Sequence, residues 1–509
     1  MVENALRGLL GLRRRAAVTP RADRPLRVPD GTSAVVIGGG IAGMSAAVVL
    51  AERGVRVTLL ETAGHLGGRL GAWSHRIADS STHRIEHGFH GFFRQYYTWR
   101  AVLRRIDPEL GFLRPIDGYP VISRRWPAED FASLPGLPPV NLAALVLRSP
   151  SLRPADLRHV DRVAATTLLE FDRDRTYAEH DRTSAAELLD RLAMPDRARA
   201  VLFEVFSHSF FNREEDFSAA EMIMLFHFYF LANPEGLGMD APVDDHGTCI
   251  WDPLAALLDK LGADVRTGSP VDRLEPAGGG WRVVPAGGGA PVEARHVVLA
   301  TDPAALRRLL DASPEVAGRA PRLVRQAATL RTAAPYAVAR YWTDRPVRPD
   351  RAVFSGVSRE ATVDSVTVYS RLESGSARWA RRTGGDVVEL HAYAVPDGIS
   401  AADAADRMWT ELGGLWPEVP GLRVLDRDCR VGHDAPGFPP GGDADRPGVR
   451  TDDPGLLLAG DWVRLPFPSA LMERAAVTGM LAAGDVLTGT GARAERVEVI
   501  RPYGLLRRR

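Results

Sequence analysis

The chain has 509 residues, enough for two domains or one large interleaved pair. Its 64 basic and 64 acidic residues cancel, which argues against nucleic-acid binding driven by net charge. Two cysteines, Cys249 and Cys429, exclude a disulfide framework and fit a reducing compartment. The N-terminal run MVENALRGLLGLRRRAAV lacks the apolar core of a signal peptide after its arginines, and the C-terminus RPYGLLRRR is also basic. Two readings of these ends stand side by side: amphipathic segments on a membrane surface, or solvated tails. No transmembrane helix stands out, although Ala34 to Ala51 is almost wholly apolar.

Ala34 to Ile37 is a short β-branched run suited to a buried parallel strand. Gly38, Gly40 and Gly43 follow as G-x-G-x-x-G. In that pattern the first glycine permits the tight turn, the second lets backbone approach a pyrophosphate, and the third lets helix and strand pack closely. Ile41 and Ala42 open the helix that follows, so its first N–H groups and positive dipole end face the phosphates. Val55 to Leu60 is the second strand, ended by Glu61, 18 residues after Gly43. A carboxylate there binds a ribose hydroxyl and repels a 2′-phosphate, so a dinucleotide without that phosphate is expected.

A second glycine turn, Gly64 to Arg69, comes at once, with Gly67-Gly68-Arg69 at its end. NAD binding does not require it. Fingerprint, acid and Gly-Gly-Arg together resemble the FAD-binding start of the amine-oxidase and carotenoid-desaturase superfamily. The resemblance implies FAD, with Gly67, Gly68 and Arg69 passing its pyrophosphate towards the flavin. The stretch Arg84 to Tyr97 then brings glycines, two histidines, three phenylalanines and two tyrosines. It is most similar to bacterial carotenoid-aromatising desaturases of the isorenieratene-synthase type. Two readings are open for it: a packed aromatic strand and turn, or the floor of a substrate site beside the flavin. His87 and His90 lack a third ligand in a metal-binding spacing, so no metal is expected.

Further on, Arg158 to Phe171 and Ser184 to Leu192 read as helices. Ser218 to Glu221 reads as a capping box opening MIMLFHFYFLA, a segment apolar almost all round. It is either ordinary core or the wall of a tunnel for a long apolar ligand. Thr248 to Leu261 is a helix, and Asp264 to Glu275 contains two strands. The resemblance implies that Val271 contacts the adenine through its backbone, and that Val297 to Ala300 is a return strand of the nucleotide domain. Alternating runs at Tyr336 to Trp342, Val363 to Leu372 and Val387 to Val395 predict a mixed or antiparallel sheet. Near the end, Gly455 to Trp462 delivers Gly460-Asp461 from a buried strand, and a helix starts near Leu471. By resemblance Asp461 sits at the pyrophosphate and ribityl chain, and the first turn at Met472 meets the flavin pyrimidine edge. There the helix dipole stabilises negative charge on the reduced ring.

The expected fold is α/β: a discontinuous Rossmann-like FAD-binding domain (31–93, 247–312 and 452–490) interleaved with an α+β substrate domain (94–246 and 313–451). Residues 1–30 and 491–509 are basic tails. No second nucleotide fingerprint and no hydrolase or P-loop motif is present, so an oxidase or dehydrogenase is expected, passing electrons to oxygen or a quinone. Amine oxidases of this fold place a lysine at the flavin. Lys260, the only lysine here, stands in the nucleotide part. The resemblance therefore implies a desaturase that aromatises a carotenoid β-ionone ring with migration of one methyl group. Glu86, Glu473 or an aromatic face would stabilise the ring cation left by hydride loss, and His87, His90 or Tyr96 would take the final proton. The alternatives are a desaturase or oxidase of another isoprenoid or secondary metabolite, a flavin amine oxidase, and a non-catalytic FAD-binding protein at a membrane. The expected place is the cytoplasm, peripheral to the inner face of the cell membrane.

Overall fold

A computed structural model describes residues 15–153 and 155–504. Of the expected basic tails, 1–14 and 505–509 lie outside the described residues; the rest is packed rather than solvated, with Arg15–Val18 pairing with Val497–Val499 and Val28, Ala492 and Ile500 buried.

The β-branched and leucine-rich segments line up as a five-stranded parallel sheet. Its order is Asp264–Arg266, Arg56–Leu60, Ser33–Ile37, His296–Leu299 and Leu456–Leu458. Ala34 faces Val57, Val35 faces Val297, and Val298 faces Leu457. These side chains are buried on both faces, which explains why the strands read as continuous apolar runs. The Ile41–Glu52 helix is buried along nearly its whole length and packs on the 19-residue helix Leu471–Gly489. A Cβ at Gly479 would collide with the Ala42 carbonyl, so glycine sets how close these two helices lie. The two strands expected between Asp264 and Glu275 separate. The first extends the parallel sheet, while Val271–Ala277 joins Gly280–Pro285 and Val292–Ala294 in an antiparallel meander.

The second region centres on a seven-stranded mixed sheet. Its order is Val424–Gly432, Tyr336–Thr343, Asp386–Ala392, Ser365–Val368, Phe354–Val357, Pro120–Ile122 and Glu129–Asp130. One face is apolar and is covered by the helix Ala401–Leu415, with Ala337, Ala339, Tyr341, Val388 and Leu390 in that core. The alternate residues Arg340, Glu389 and His391 are equally buried but face the other way. This polar buried face lies towards the nucleotide region.

The apolar segment after Ser218 is core in part. Ala219–Phe226 is an α-helix that widens into a π-helix at His227–Leu231. Its predicted capping box is only half formed. Ser218 Oγ accepts the Glu221 N–H at 3.5 Å, but the Glu221 carboxylate is drawn away by Arg474, Arg446 and Tyr177. Two buried guanidiniums outbid one backbone N–H. Since Arg474 belongs to the Leu471–Gly489 helix, this carboxylate ties the two regions together.

Candidate active site

The glycine turns converge as the sequence spacing requires. Gly38 has φ 109°, and a Cβ there would collide with the Ala300 carbonyl of the neighbouring strand. Gly43 would collide with the Gly38 carbonyl. Glu61 accepts the Gly39 N–H at 2.6 Å and the Ala63 N–H at 2.7 Å, which fixes its carboxylate at the end of the second strand. The Gly67 N–H donates to the Gly39 carbonyl at 2.9 Å, setting the second glycine turn against the first. Gly67 and Gly68 are both left-handed (φ 114° and 55°). Trp251 packs on Gly67 and its indole N–H donates to the Leu70 carbonyl at 2.7 Å. Arg69 reaches Asp461 at 2.7 Å, joining the first and last motifs of the chain. Gly460 precedes it with φ 155°, its N–H donating to Thr478 at 2.9 Å. Val271 follows Gly268 and Ser269, whose N–H groups donate to the Ala63 and Glu61 carbonyls.

The residues present fit FAD. A Cβ at Gly40 would meet nothing nearer than the Gly67 carbonyl at 3.8 Å and Gly68 Cα at 3.9 Å, so main chain lines an open cradle there. At the other end, Ala470 gives the Leu471–Gly489 helix no side-chain cap, which leaves its first N–H groups for a ligand. Leu471 stands at φ 46°, a left-handed position that costs a non-glycine residue roughly 1–3 kcal/mol, and buried Met472 follows it in the first turn. Two buried polar side chains have no partner among the described residues: the amide of Gln95 and the hydroxyl of Ser469. A flavin pyrimidine edge carries both donors and acceptors that such groups satisfy.

The candidate catalytic residues lie on the side facing the mixed sheet. Glu86 ends the strand Thr82–Glu86 and is buried. It accepts the His246 backbone N–H at 2.5 Å and the Tyr369 hydroxyl at 3.3 Å. Arg340 stands 3.7 Å from it, 3.5 Å from Glu373 and 2.8 Å from Glu389. One guanidinium thus faces three buried carboxylates, and they do not all ionise. Burial, and then the charge of Glu373, hold Glu86 well above the ordinary carboxylate range, against the pull of Arg340. Burial raises Glu373 to about 7. Glu389 stays below its ordinary value because Arg340 and His391 outweigh its burial. Glu86 is thus harder to ionise than an ordinary carboxylate, which disfavours the expectation that it offers a full negative charge to a substrate cation.

His87 packs edge-on to Trp73, with ring centroids 4.7 Å apart, and burial lowers it to about 4. His90 is also lowered to about 4 by burial, and its Nδ1 lies 2.8 Å from the Gly88 carbonyl. That contact makes Nδ1 the N–H donor and leaves the Nε2 lone pair to accept a proton. A cavity of about 30 Å³, room for a water molecule, is lined by Glu86, His87, Tyr336, Arg340, Glu389 and Arg430, among others. Tyr96 is less suited to proton transfer. Its hydroxyl is 2.6 Å from that of Tyr229, and burial, then Tyr229, raise it well above the phenol range. Glu473 also departs from expectation. Its two oxygens accept the N–H groups of Thr98 (2.8 Å) and Trp99 (2.9 Å), so its charge caps the helix Tyr97–Leu103.

The aromatic stretch and the apolar helix meet. Phe93 packs edge-on to Tyr229 at 4.9 Å, and Phe89 stacks on Phe354 at 4.4 Å. Arg340, Glu373, Glu389 and His246 carry no motif, and sequence reasoning missed them. The available signal was a charge inside a buried strand, twice: Arg340 within YAVARYWT and Glu389 within DVVELHA, which pair directly across the sheet. Lys260 is exposed at the end of the helix Asp252–Lys260, so no lysine reaches this site.

Fold and site together define an FAD-dependent oxidoreductase. Residues 41–487 match the flavin containing amine oxidoreductase family, and the chain belongs to it. The carotenoid phi-ring synthase of Streptomyces griseus is 43% identical over 487 residues, covering 95% of this chain and 93% of that protein. The protein of the same name from Chlorobaculum tepidum is 29% identical, covering 93% and 91%. Cyclohexylamine oxidase from Brevibacterium oxydans superposes with a TM-score of 0.64 at 15% identity, covering 90% of this chain and 99% of that one, and so shares the fold.

Proposed function

We propose that this chain aromatises a β-ionone ring of a long apolar carotenoid, with dehydrogenation and migration of one methyl group. The observation that carries the reading is the 43% identity, along 95% of the chain, to a carotenoid phi-ring synthase. The packed aromatics Phe93, Tyr96 and Tyr229 and the absence of lysine from the site support it. The division into FAD segments (31–93, 247–312, 452–490) and substrate segments (94–246, 313–451) is part of the same proposal.

FAD, when bound, supplies the hydride acceptor. Gly38, Gly40, Ile41, Ala42 and Gly43 hold its pyrophosphate with main chain, Glu61 its ribose, and Val271 its adenine. Gly67, Gly68, Arg69, Gly460, Asp461 and Met472 carry the rest. His90 takes the ring proton at Nε2. A base lowered to about 4 suffices, because a proton beside a ring cation is strongly acidic. His87 and the water-sized cavity relay that proton. Glu86, held above the ordinary carboxylate range, limits the negative charge that builds beside Glu389. Glu473 and Tyr96 position the floor of the site. Electrons pass on to oxygen or a quinone, and the protein works at the inner face of the cell membrane.

Expression in β-carotene-producing cells tests this. An aromatic-ring carotenoid in the extract is expected. Unchanged β-carotene alongside yellow, FAD-loaded protein would remove the reading.

A further inference from the structure

The peptide unit joining Gly88 to Phe89 is held at both ends. Its carbonyl, on Gly88, lies 2.8 Å from His90 Nδ1. Its N–H, on Phe89, donates to Glu389 Oε1 at 3.0 Å. Glu389 is buried within the strand Asp386–Ala392, and its other oxygen accepts from Arg340 Nε at 2.8 Å. His391, two residues along the same face, completes the carboxylate. Its Nε2 is 2.9 Å from Glu389 Oε1, and the Tyr393 hydroxyl lies 2.9 Å from its Nδ1. The Phe89 N–H is also 3.2 Å from His391 Nε2. A nitrogen whose own proton faces a carboxylate cannot accept another, so the Phe89 N–H belongs to Glu389.

The segment is shaped to present this peptide. Gly88 has φ 105°, and a Cβ there would collide with the His391 ring. Only glycine therefore lets the chain turn here and bring the Phe89 N–H onto the carboxylate. The titratable and charged groups that bear on His90 are basic: His391 and Arg69 from other elements, the His246 ring at 5.7 Å, and His87 from its own segment. The negative charge of Glu389 reaches it through the polarised peptide.

We infer that Glu389 is a positioning residue for His90: across the Gly88–Phe89 peptide it fixes the imidazole proton on Nδ1 and leaves Nε2 as the base. The line runs from the Arg340 guanidinium through the Glu389 carboxylate, the Phe89 N–H and the Gly88 carbonyl to His90 Nδ1–H. A carboxylate bonded directly to an imidazole sets its tautomer in the same way. Here one peptide stands between them, and the hydrogen bonds at its two ends strengthen each other. When Nε2 takes a proton, the cation formed keeps its Nδ1–H on the same carbonyl. Arg340 keeps Glu389 charged without moving a proton itself, since a guanidinium does not deprotonate in proteins. The tautomer is a property of the resting protein. Only its use in removing a ring proton rests on the carotenoid reading.

Selective ¹⁵N labelling of histidine in the full FAD-loaded chain tests this, with the His90 resonances picked out from those of 13 histidines by their loss in His90→Asn. Wild type should show a protonated Nδ1 and a bare Nε2 at neutral pH. Glu389→Gln keeps an oxygen for the Phe89 N–H but removes the charge. Its His90 resonances should move towards an exchanging mixture of both tautomers, and Glu389→Asp should move them back. Replacing Phe89 by phenyllactic acid turns its peptide into an ester. That deletes the N–H alone, leaves the Arg340–Glu389 pair in place and should give the same mixture, so it decides the matter if Glu389→Gln does not fold. In carotenoid turnover Glu389→Gln should lower kcat by roughly 10–100-fold at unchanged KM, the usual cost of losing a group that orients a histidine. The inference is overturned if wild-type His90 carries its proton on Nε2, or if either folded variant leaves the proton on Nδ1 as in wild type. An unchanged kcat in a variant whose tautomer has shifted would equally overturn it. Failure of the carotenoid reading would show separately, as unchanged pigment from protein whose His90 resonances respond as described.

Discussion

In the nucleotide region, polar contacts are made largely by main chain. Glu61 takes the N–H groups of Gly39 and Ala63, Gly67 donates to Gly39, and the helix at Leu471 opens without a side-chain cap. In the mixed-sheet region they are made by side chains: Arg340 against Glu86, Glu373 and Glu389, with His246 and His391 alongside. The first arrangement is sensitive to added volume, because glycine holds strands and turns in contact. The second is sensitive to charge balance, because a guanidinium and three carboxylates share one buried compartment. A cofactor that presents phosphates is met by fixed dipoles.

Substitutions that violate each region in its own terms sharpen the contrast. Gly43→Ala sets a methyl against the Gly38 carbonyl, and a loss of more than about 4 kcal/mol is expected, read as chain that no longer retains yellow flavin. Arg340→Leu leaves buried carboxylates without their counter-charge. It should cost about 3–5 kcal/mol in denaturant unfolding. Melting as wild type would show that the three carboxylates do not depend on the Arg340 charge. His90→Asn should keep FAD and lower turnover by roughly 10²–10⁴, the range of a lost acid–base group; unchanged turnover would move the proton to another residue.

Glu473→Gln separates capping from catalysis. One oxygen still accepts a backbone N–H, so a loss of about 1–2 kcal/mol with little change in turnover is expected. A large loss of turnover at unchanged stability would restore a catalytic role.

The smallest effect concerns pH. Glu373 is raised from 4.5 to about 7 on folding, so the folded state binds more protons across that window. Its contribution to stability is full below pH 4.5 and is lost as pH rises through about 7. Glu373→Gln removes the titration, and its melting temperature relative to wild type should rise over the same interval. His87 and His90 act in the opposite sense. Lowered to about 4 from 6.5, they weaken the fold as pH falls through that range in both proteins. The difference between the two melting curves therefore reports Glu373 together with Glu86, whose ionisation the Glu373 charge opposes.

The cofactor side was legible because its parts are local. Gly38, Gly40, Gly43 and Glu61 lie within one strand–helix–strand unit, and only Arg69 to Asp461 needed the whole chain to close. The buried charged cluster draws its members from elements far apart in sequence. Glu86, Arg340, Glu373 and Glu389 meet only after the mixed sheet has formed, and no spacing announces them. The same distance effect misled the reading of Glu221, which carries a helix-start pattern but gives its charge to arginines from another part of the chain. Glu473, expected near the ring cation, accepts backbone N–H groups of the helix Tyr97–Leu103.

Anaerobic mixing of the FAD-loaded protein with β-carotene in lipid vesicles, followed at the flavin absorbance, tests the central claim most directly. Bleaching of the yellow band together with an aromatic-ring product, and no bleaching by primary amines, is the predicted result. Bleaching by an amine with none by the carotenoid would contradict it.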